Sequence, residues 1–352
     1  MSLFSPCFSC GALINNYIYA SAYKYNAIVK VKIDDGKAEY MFKFPQSDLI
    51  IKNQHSRAYV YNNKIFFCPA MGDYIHVFDP FTYDIMTIGI DRENYKGEYY
   101  GLLYRDAIIL IPKTVGGNVL SFNMDSMETV VLLKWVEVGS YFAENAQYAF
   151  LRIVQLNDAI YLPIYNTSII LVLNMDSLTI EKKEVDVDEL LGAVGGGNGI
   201  YLLSNSNSSV YKWDPVDNKV KKYLVDEAYE KSNVYTFAIE QQGNTYFFPG
   251  YSYPYIGNMQ SDRIASLLKL NVARGKLLFL EPIYGVGKVW ALPFQGNEMI
   301  CISENAIVKK KITPIKIDNI SKEKIIKNEI LSGRLFLEGE DFTIDEYIQG
   351  IV

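Results

Sequence analysis

Short apolar segments of strand length recur from one end of the chain to the other, and each follows a two-residue polar turn. These turns precede seven segments, at Asn15-Asn16, Asn62-Asn63, Arg105-Asp106, Asn157-Asp158, Asn198-Gly199, Gly243-Asn244 and Gly296-Asn297. Proline, which cannot donate a hydrogen bond to a neighbouring strand, follows four of them, at Pro69, Pro112, Pro163 and Pro249. The pattern therefore predicts a β-strand after every turn, ended by the proline where one is present.

A second kind of turn follows six of these strands. It contains Asp or Asn, whose side chain can accept a hydrogen bond from the backbone two residues further on and so close a tight hairpin. The residues are Asp34, Asp79, Asn123, Asn174, Asp214 and Asn271. They recur at intervals of ~45 residues, which is the length of a four-stranded blade of a β-propeller.

Two more strands complete each repeat. Segments before the first turns, such as residues 57–61, 148–154 and 234–239, are expected to form the innermost strands. Segments after the second turns, such as residues 179–185 and 219–225, are rich in lysine, which discourages edge-to-edge pairing and is typical of an outer strand. Blades of this kind bury their faces by packing against one another in a closed ring.

The predicted fold is all-β: a seven-bladed β-propeller of four-stranded antiparallel blades. The seventh repeat lacks the second turn, which leaves six blades plus a C-terminal cap as the alternative. Residues 1–320 are assigned to the propeller. Residues 321–352 depart from the repeat and are assigned to a closing or capping segment of the same domain.

Two hairpins carry a resemblance to a known family. They are Phe78-Asp-Pro-Phe-Thr and Trp213-Asp-Pro-Val-Asp, and with the repeat length they make residues 4–320 similar to a kelch-like β-propeller of the galactose-oxidase superfamily. Paired glycines at a strand end, expected of kelch repeats, occur only at Gly116-Gly117. The resemblance therefore implies the architecture, and it transfers no functional residue.

Composition and charge narrow the class of protein. The net charge of −6 argues against a nucleic-acid partner, because such a partner needs a basic surface. No window contains the ~18 apolar residues of a membrane span, and residues 1–20 do not have the pattern of a signal peptide. A soluble, cytoplasmic protein is therefore expected.

Metal, nucleotide and redox sites are not indicated. Cys7 and Cys10 form a C-x-x-C pair without the second pair or the histidines that a zinc site needs, so structural thiols are expected. The glycine-rich segment 192–199 is followed by a strand rather than a helix, which excludes a phosphate-binding loop. With only two histidines in the chain, His55 and His76, no catalytic triad is evident, and no cofactor is predicted.

The most suggestive feature is a tyrosine-rich loop between two strands of the sixth repeat. Long loops on a rigid scaffold often carry function, and tyrosine rings stack on sugar or peptide groups. The candidate binding residues in this loop are Tyr251, Tyr253, Tyr255, Asp262 and Arg263. The preferred interpretation is a non-catalytic binding or scaffold protein that presents such loops to a glycan, peptide or protein partner.

The alternative is an enzyme that acts on a sugar or another small polar substrate in the central cavity of the propeller. Its polar groups would come from innermost strands and the loops beside them, and the same residues could serve binding alone. The candidates are His55, Arg57, Glu98, Glu144 and Arg152. Convergence of these side chains on one cavity would favour the enzyme.

Overall fold

The computed structural model describes residues 8–23, 26–48, 51, 53–93, 95–114, 117–134, 150–196, 199–204 and 210–223 and, by their backbone, eight later strands. Every regular element among these residues is a β-strand. Each group of four consecutive strands forms one four-stranded antiparallel sheet, with the strands in chain order across the sheet. The all-β prediction is confirmed.

Five sheets are described with their side chains. Sheet 1 contains β1 (Phe8–Ile14), β2 (Tyr17–Ala22), β3 (Ile28–Lys32) and β4 (Ala38–Phe42). Sheet 2 contains β5 (His55–Tyr61), β6 (Lys64–Pro69), β7 (Tyr74–Phe78) and β8 (Ile85–Gly89). Sheet 3 contains β9 (Tyr99–Tyr104), β10 (Ala107–Pro112), β11 (Asn118–Asn123) and β12 (Thr129–Lys134). Sheet 4 contains β13 (Val154–Leu156), β14 (Ala159–Pro163), β15 (Ile169–Asn174) and β16 (Ile180–Glu184), and sheet 5 contains β17 (Leu190–Gly196), β18 (Gly199–Ser204), β19 (Val210–Asp214) and β20 (Lys219–Tyr223).

Two further groups of strands are described by their backbone alone. Sheet 6 contains β21 (Tyr235–Gln241), β22 (Asn244–Pro249), β23 (Ile264–Asn271) and β24 (Lys276–Tyr284). Sheet 7 contains β25 (Trp290–Gln295), β26 (Glu298–Ile302), β27 (Ala306–Val308) and β28 (Pro314–Lys316). Residues 317–352 lie outside the described part, so the number of blades and the capping segment remain predictions.

The polar turns have the conformation that their residue types predict. Asn62 and Asn63, between β5 and β6, both have left-handed backbone, with φ of 48° and 60°. Asn15, Arg105 and Asn157 begin the corresponding turns with φ of 55°, 52° and 53°. Asparagine tolerates this region better than other residues with a side chain, which explains why the turns are rich in it.

Four of the six predicted second turns are closed by the predicted side chain, and the side chain of Asn271 in a fifth lies outside the described part. In each case one Oδ1 atom accepts hydrogen bonds from the backbone N–H groups two and three residues further on, at 2.8–3.3 Å. The accepting residues are Asp79, Asn123, Asn174 and Asp214. The fifth residue of each turn has left-handed backbone, at Tyr83, Met127, Leu178 and Asn218.

Sheet 1 departs from the predicted turn. The sequence assigns Asp34 to the closing position, but the turn begins two residues earlier, where the backbone N–H of Gly36 donates to the carbonyl of Lys32. The side chain of the next aspartate, Asp35, accepts from the N–H of Lys37 at 3.1 Å. Lys32, which has no side-chain acceptor, therefore occupies the position at which Asp79 and Asn123 begin their turns.

Removal of the closing side chain tests the role of these turns. Asn174→Ala removes the acceptor for Asp176 and Ser177, so we expect the free energy of unfolding to fall by about 1–2 kcal/mol. Asn174→Asp keeps the acceptor, as Asp79 and Asp214 do in their own turns, and is the matched control. Urea unfolding measures the free energy of unfolding of both variants. An equal loss in both would contradict the role of the Oδ1 acceptor.

Central strands are apolar throughout because both of their faces are buried. In β6, Ile65 and Phe67 pack into a cluster with sheet 1, whereas Phe66 and Cys68 pack into a cluster with sheet 3. All four side chains are at most 1% exposed. The outer strands β16 and β20 are rich in lysine and lie at sheet ends, as predicted.

The chain divides into two compact units. Unit 1 comprises Met1–Ile111, Leu120–Val130 and Leu292–Val352, and unit 2 comprises Pro112–Val119 and Val131–Ala291. In unit 1, the cores lie between sheets 1 and 2 and between sheets 2 and 3. In unit 2, a core that includes Trp213 joins sheets 4 and 5.

Two predicted segments of unit 2 can be compared with the structure. The innermost strand of the fourth repeat was expected at residues 148–154, but β13 begins only at Val154, after a bend at Leu151 and Arg152. The glycine-rich segment is the irregular strand β17, as predicted, with a register shift between Leu190 and Gly192.

Candidate functional site

Three polar side chains of unit 1 occupy the same register position in neighbouring sheets. Cys10, Arg57 and Tyr100 each lie on the first strand of their sheet, five residues before the turn that begins with Asn15, Asn62 or Arg105. This position follows a register shift in both β1 and β5. We call these three residues, together with Tyr59 and Cys68, the first-strand cluster.

Arg57 is the charged group of the first-strand cluster. Its guanidinium carbon lies 4.9 Å from the ring centroid of Tyr100, and its Nη2 donates a hydrogen bond to the Tyr100 hydroxyl. Arg57 itself is half-buried, whereas Tyr100 is only 6% exposed. A well-packed tyrosine therefore orients the guanidinium of a residue that is itself only partly buried.

The electrostatics of the cluster keep Arg57 charged and its neighbours neutral. Burial acts to lower the pKa of Arg57, but the hydroxyls of Tyr100 and Tyr59 oppose it, and the pKa ends above its ordinary value. Burial raises the pKa of the Tyr59 hydroxyl and, well above its ordinary value, that of the Cys68 thiol. Cys10 and Cys68 are buried free thiols, as expected for structural cysteines.

A close approach of β9 to sheet 2 positions Tyr100. The next residue, Gly101, donates its backbone N–H to the Ser56 hydroxyl at 3.2 Å, and its carbonyl accepts from the Tyr59 hydroxyl at 3.2 Å. A Cβ atom at Gly101 would lie 2.6 Å from the Cβ of Cys68. Only glycine fits here without a shift, and the hydrogen bonds on both sides of Gly101 fix Tyr100 beside Arg57.

Arg57 has the properties of an anion-binding group. Among the described residues, no carboxylate forms an ion pair with it. A guanidinium presents several N–H donors in one plane, which suits a carboxylate or phosphate group. Partial burial strengthens such an interaction, because the charge is less screened by water.

A second polar cluster in unit 1 links sheets 1 and 2. Ser21 Oγ lies 2.8 Å from His55 Nδ1, His55 Nε2 lies 2.9 Å from His76 Nδ1, and His76 Nε2 lies 3.0 Å from the carbonyl oxygen of Pro45. Because a carbonyl can only accept, His76 must donate through Nε2 and accept through Nδ1 when it is neutral. His55 therefore donates through Nε2 and accepts from the hydroxyl of Ser21.

The histidine pair is a structural feature rather than an exposed site. A serine hydroxyl bonded to an imidazole is the arrangement of an activated nucleophile. Here Ser21 is 1% exposed and both histidines are 0% exposed, and the rings of Phe44 and Phe67 pack against His55. The strand role predicted for His76 is confirmed, and His55 is the first residue of β5.

The remaining sequence candidates are not members of the first-strand cluster, and most of them lie outside the described residues. Tyr251, Tyr253, Tyr255, Asp262, Arg263 and Glu144 lie outside the described residues. Glu98 lies just before β9, and its carbonyl accepts from the Tyr95 hydroxyl at 2.8 Å. Arg152 belongs to unit 2, where its Nη1 donates to the Leu151 carbonyl at 2.9 Å and its stem packs on Gly192. The binding role of each remains a prediction.

Sequence reasoning identified Arg57 but missed Tyr100, Tyr59 and the contact of Arg57 with them. The available signal was register: Tyr100 lies as far before its turn as Arg57 does before Asn62.

Within the described ranges, no group of three or more His, Cys, Asp or Glu residues could hold a metal ion. In the same part of the chain, no helix has the length and hydropathy of a membrane span.

Comparison with known proteins identifies the fold. No family model and no curated protein matches the chain. Among solved structures, it is similar to the WD40 repeats of RRP9, with a TM-score of 0.58 and 10% identity over 84% of this chain and 87% of that one. It is also similar to U3-55K, with a TM-score of 0.55 and 10% identity over 84% of this chain and 88% of that one.

A third similar structure is KlHsv2 with its loop 6CD replaced by a Gly-Ser linker, at a TM-score of 0.51 and 8% identity over 87% of this chain and 92% of that one. At these identities the likeness concerns the fold alone. Together with the repeated four-stranded sheets, it assigns the chain to the β-propeller class.

Proposed function

We propose that this protein is a non-catalytic β-propeller that binds a protein partner, and that an acidic group of the partner binds at Arg57. The observation that carries the proposal is the half-buried Arg57, whose guanidinium is held against Tyr100 and forms no ion pair with a carboxylate among the described residues. In a propeller the first strands of the blades surround the axis, where a partner segment can enter. The likeness to WD40 repeats supports this role, although fold alone does not determine function.

We further infer that the ring has seven blades and that the protein is cytoplasmic. The resemblance to kelch-like propellers concerns the repeat alone and implies no function. A glycan ligand would depend on the tyrosine-rich loop at residues 251–263. The first-strand cluster favours a peptide or protein ligand, because its charged group suits a carboxylate, which neutral sugars lack.

The test uses a random peptide library displayed on phage and panned on the full chain. We expect selected peptides to be rich in Asp and Glu. For the tightest peptide, Arg57→Met should raise the dissociation constant about tenfold or more, because a charge-assisted hydrogen bond is lost. Fluorescence polarisation with the labelled peptide measures the change.

A matched control is available at a turn of sheet 3. Arg105 also stacks on a tyrosine, with its guanidinium carbon 4.8 Å from the Tyr104 ring centroid, but it is exposed at the turn. Arg105→Met should leave peptide binding unchanged. Failure to enrich acidic peptides, or equal affinity for wild type and Arg57→Met, would overturn the proposal.

A further inference from the structure

The outer strand of sheet 3 differs from the charged outer strands of sheets 4 and 5. β12 has the sequence Thr-Val-Val-Leu-Leu-Lys, with Val130 56% exposed and Val131 49% exposed. It is the last strand of its sheet, and among the described residues no strand pairs with its outer edge. An exposed apolar edge without proline is a template for pairing with another strand.

The corresponding edges of sheets 4 and 5 are protected by charge. β16 has the sequence Ile-Glu-Lys-Lys-Glu, and β20 has the sequence Lys-Val-Lys-Lys-Tyr. Charged side chains at these positions oppose edge-to-edge association. β12 has no charged residue before its last position, Lys134, and the residue that precedes the strand is Glu128. The two charges thus flank an uncharged edge.

We propose that β12 pairs with β12 of a second copy of this chain, in an antiparallel dimer with its two-fold axis at Val131. In an antiparallel pair, side chains that face each other across the interface lie on the same face of the sheet. With a two-fold axis normal to the sheet, this is the case only when the two paired residue numbers have an even sum. With the axis at Val131, Val130 pairs with Leu132 and Thr129 pairs with Leu133. This interface goes beyond the proposed function and does not depend on it.

Charge complementarity selects the second copy as the occupant. In this register Glu128 of each chain lies opposite Lys134 of the other, which places one attractive pair at each end of the interface. Both side chains are exposed, and neither forms an ion pair with another described residue. A shift of the axis to residue 130 would place Glu128 opposite Leu132, and a shift to residue 132 would move Glu128 past the end of the described strand, so that either shift loses both pairs. Opposite charges directly across an antiparallel pair stabilise it, and like charges destabilise it.

Sedimentation velocity of the full chain over about a hundredfold range of concentration tests the proposal. We expect a reversible monomer–dimer equilibrium for the wild type. Glu128→Lys and Lys134→Glu should each raise the dimer dissociation constant about tenfold or more, because two attractive pairs become repulsive. An equal mixture of these two variants should form a heterodimer, since every pair across its interface is attractive, and the double variant should dimerise as the wild type does.

Lys182→Glu on the charged edge of β16 is the control and should leave the equilibrium unchanged. A wild type that stays monomeric would overturn the proposal. This holds both if another segment of the same chain covers β12 and if its edge is left open. Dimers that are insensitive to both single variants, or a mixture that fails to form the heterodimer, would overturn it equally. Circular dichroism of each variant separates loss of pairing from loss of folding.

Discussion

Acidification from pH 7 to about pH 4 is expected to lower the free energy of unfolding by about 3 kcal/mol through His76 of the buried histidine pair. Burial lowers the pKa of His76 from 6.5 to about 4 in the folded protein, against the opposing effect of its hydrogen bond to Pro45. A difference of 2.5 pH units at about 1.4 kcal/mol per unit gives this magnitude. His76 is fully buried, so solvent does not weaken the effect.

The sign follows from proton binding. Between pH 6.5 and pH 4 the unfolded chain protonates His76 and the folded protein does not, so protons favour the unfolded state in this window. The contribution of the neutral histidine pair to the free energy of unfolding is therefore fully present above pH 6.5. It is lost as the pH falls towards 4. Burial, and the neighbouring His76, also hold the pKa of His55 well below its ordinary value, so the two imidazoles act in the same direction.

Urea unfolding at several pH values between 7 and 4.5 measures the loss. Because the chain contains only two histidines, no surface imidazole contributes to the slope above pH 5.5. The variant His55→Gln/His76→Gln should have a flatter profile in the same range. If this variant does not fold, imidazole NMR signals of the wild type give an independent measure. Both signals should stay constant from pH 8 to pH 5.5, and a titration with a pKa between 6 and 7 would contradict the prediction.

The repeat was predictable because its signals are local. Alternation of side chains, a two-residue asparagine turn and an Asx side chain each depend on residues within one hairpin. Asn62 and Asp79 therefore identified their turns from the sequence alone. Sheet 1 was the exception, because its second turn begins at Lys32, whose side chain cannot accept a hydrogen bond.

The histidine pair and the first-strand cluster depend on contacts between residues of different strands that are far apart in the sequence. His55 and His76 are 21 residues apart and lie on different strands, and the Pro45 carbonyl that orders their protons comes from the segment before β5. Arg57 could be chosen as a polar residue on a first strand. Its partner Tyr100 is 43 residues away, and only the equal distance of both residues from their turns connects them in the sequence.

Gly101→Ala is expected to lower the free energy of unfolding by about 1–3 kcal/mol, as is usual when atoms are added to a filled core. The new methyl carbon would lie 2.6 Å from the Cβ and 2.9 Å from the Sγ of Cys68, on a strand that is buried on both faces. β9 must move away from sheet 2 to relieve this contact. The movement also displaces Tyr100, so the acidic peptide selected on the wild type should bind more weakly.

Two comparisons distinguish the close approach from a general effect of replacing glycine. Gly89→Ala adds a methyl group 3.9 Å from the nearest atom, a ring carbon of Tyr74, and should cause no loss of stability. Cys68→Gly removes both atoms that the new methyl group would meet. Gly101→Ala combined with Cys68→Gly should therefore be less destabilised than the sum of the two single variants, because neighbouring residues are not additive. Additive losses in this double-mutant cycle would show that Gly101 is not required for the approach of β9, and the positioning of Tyr100 beside Arg57 would need another cause.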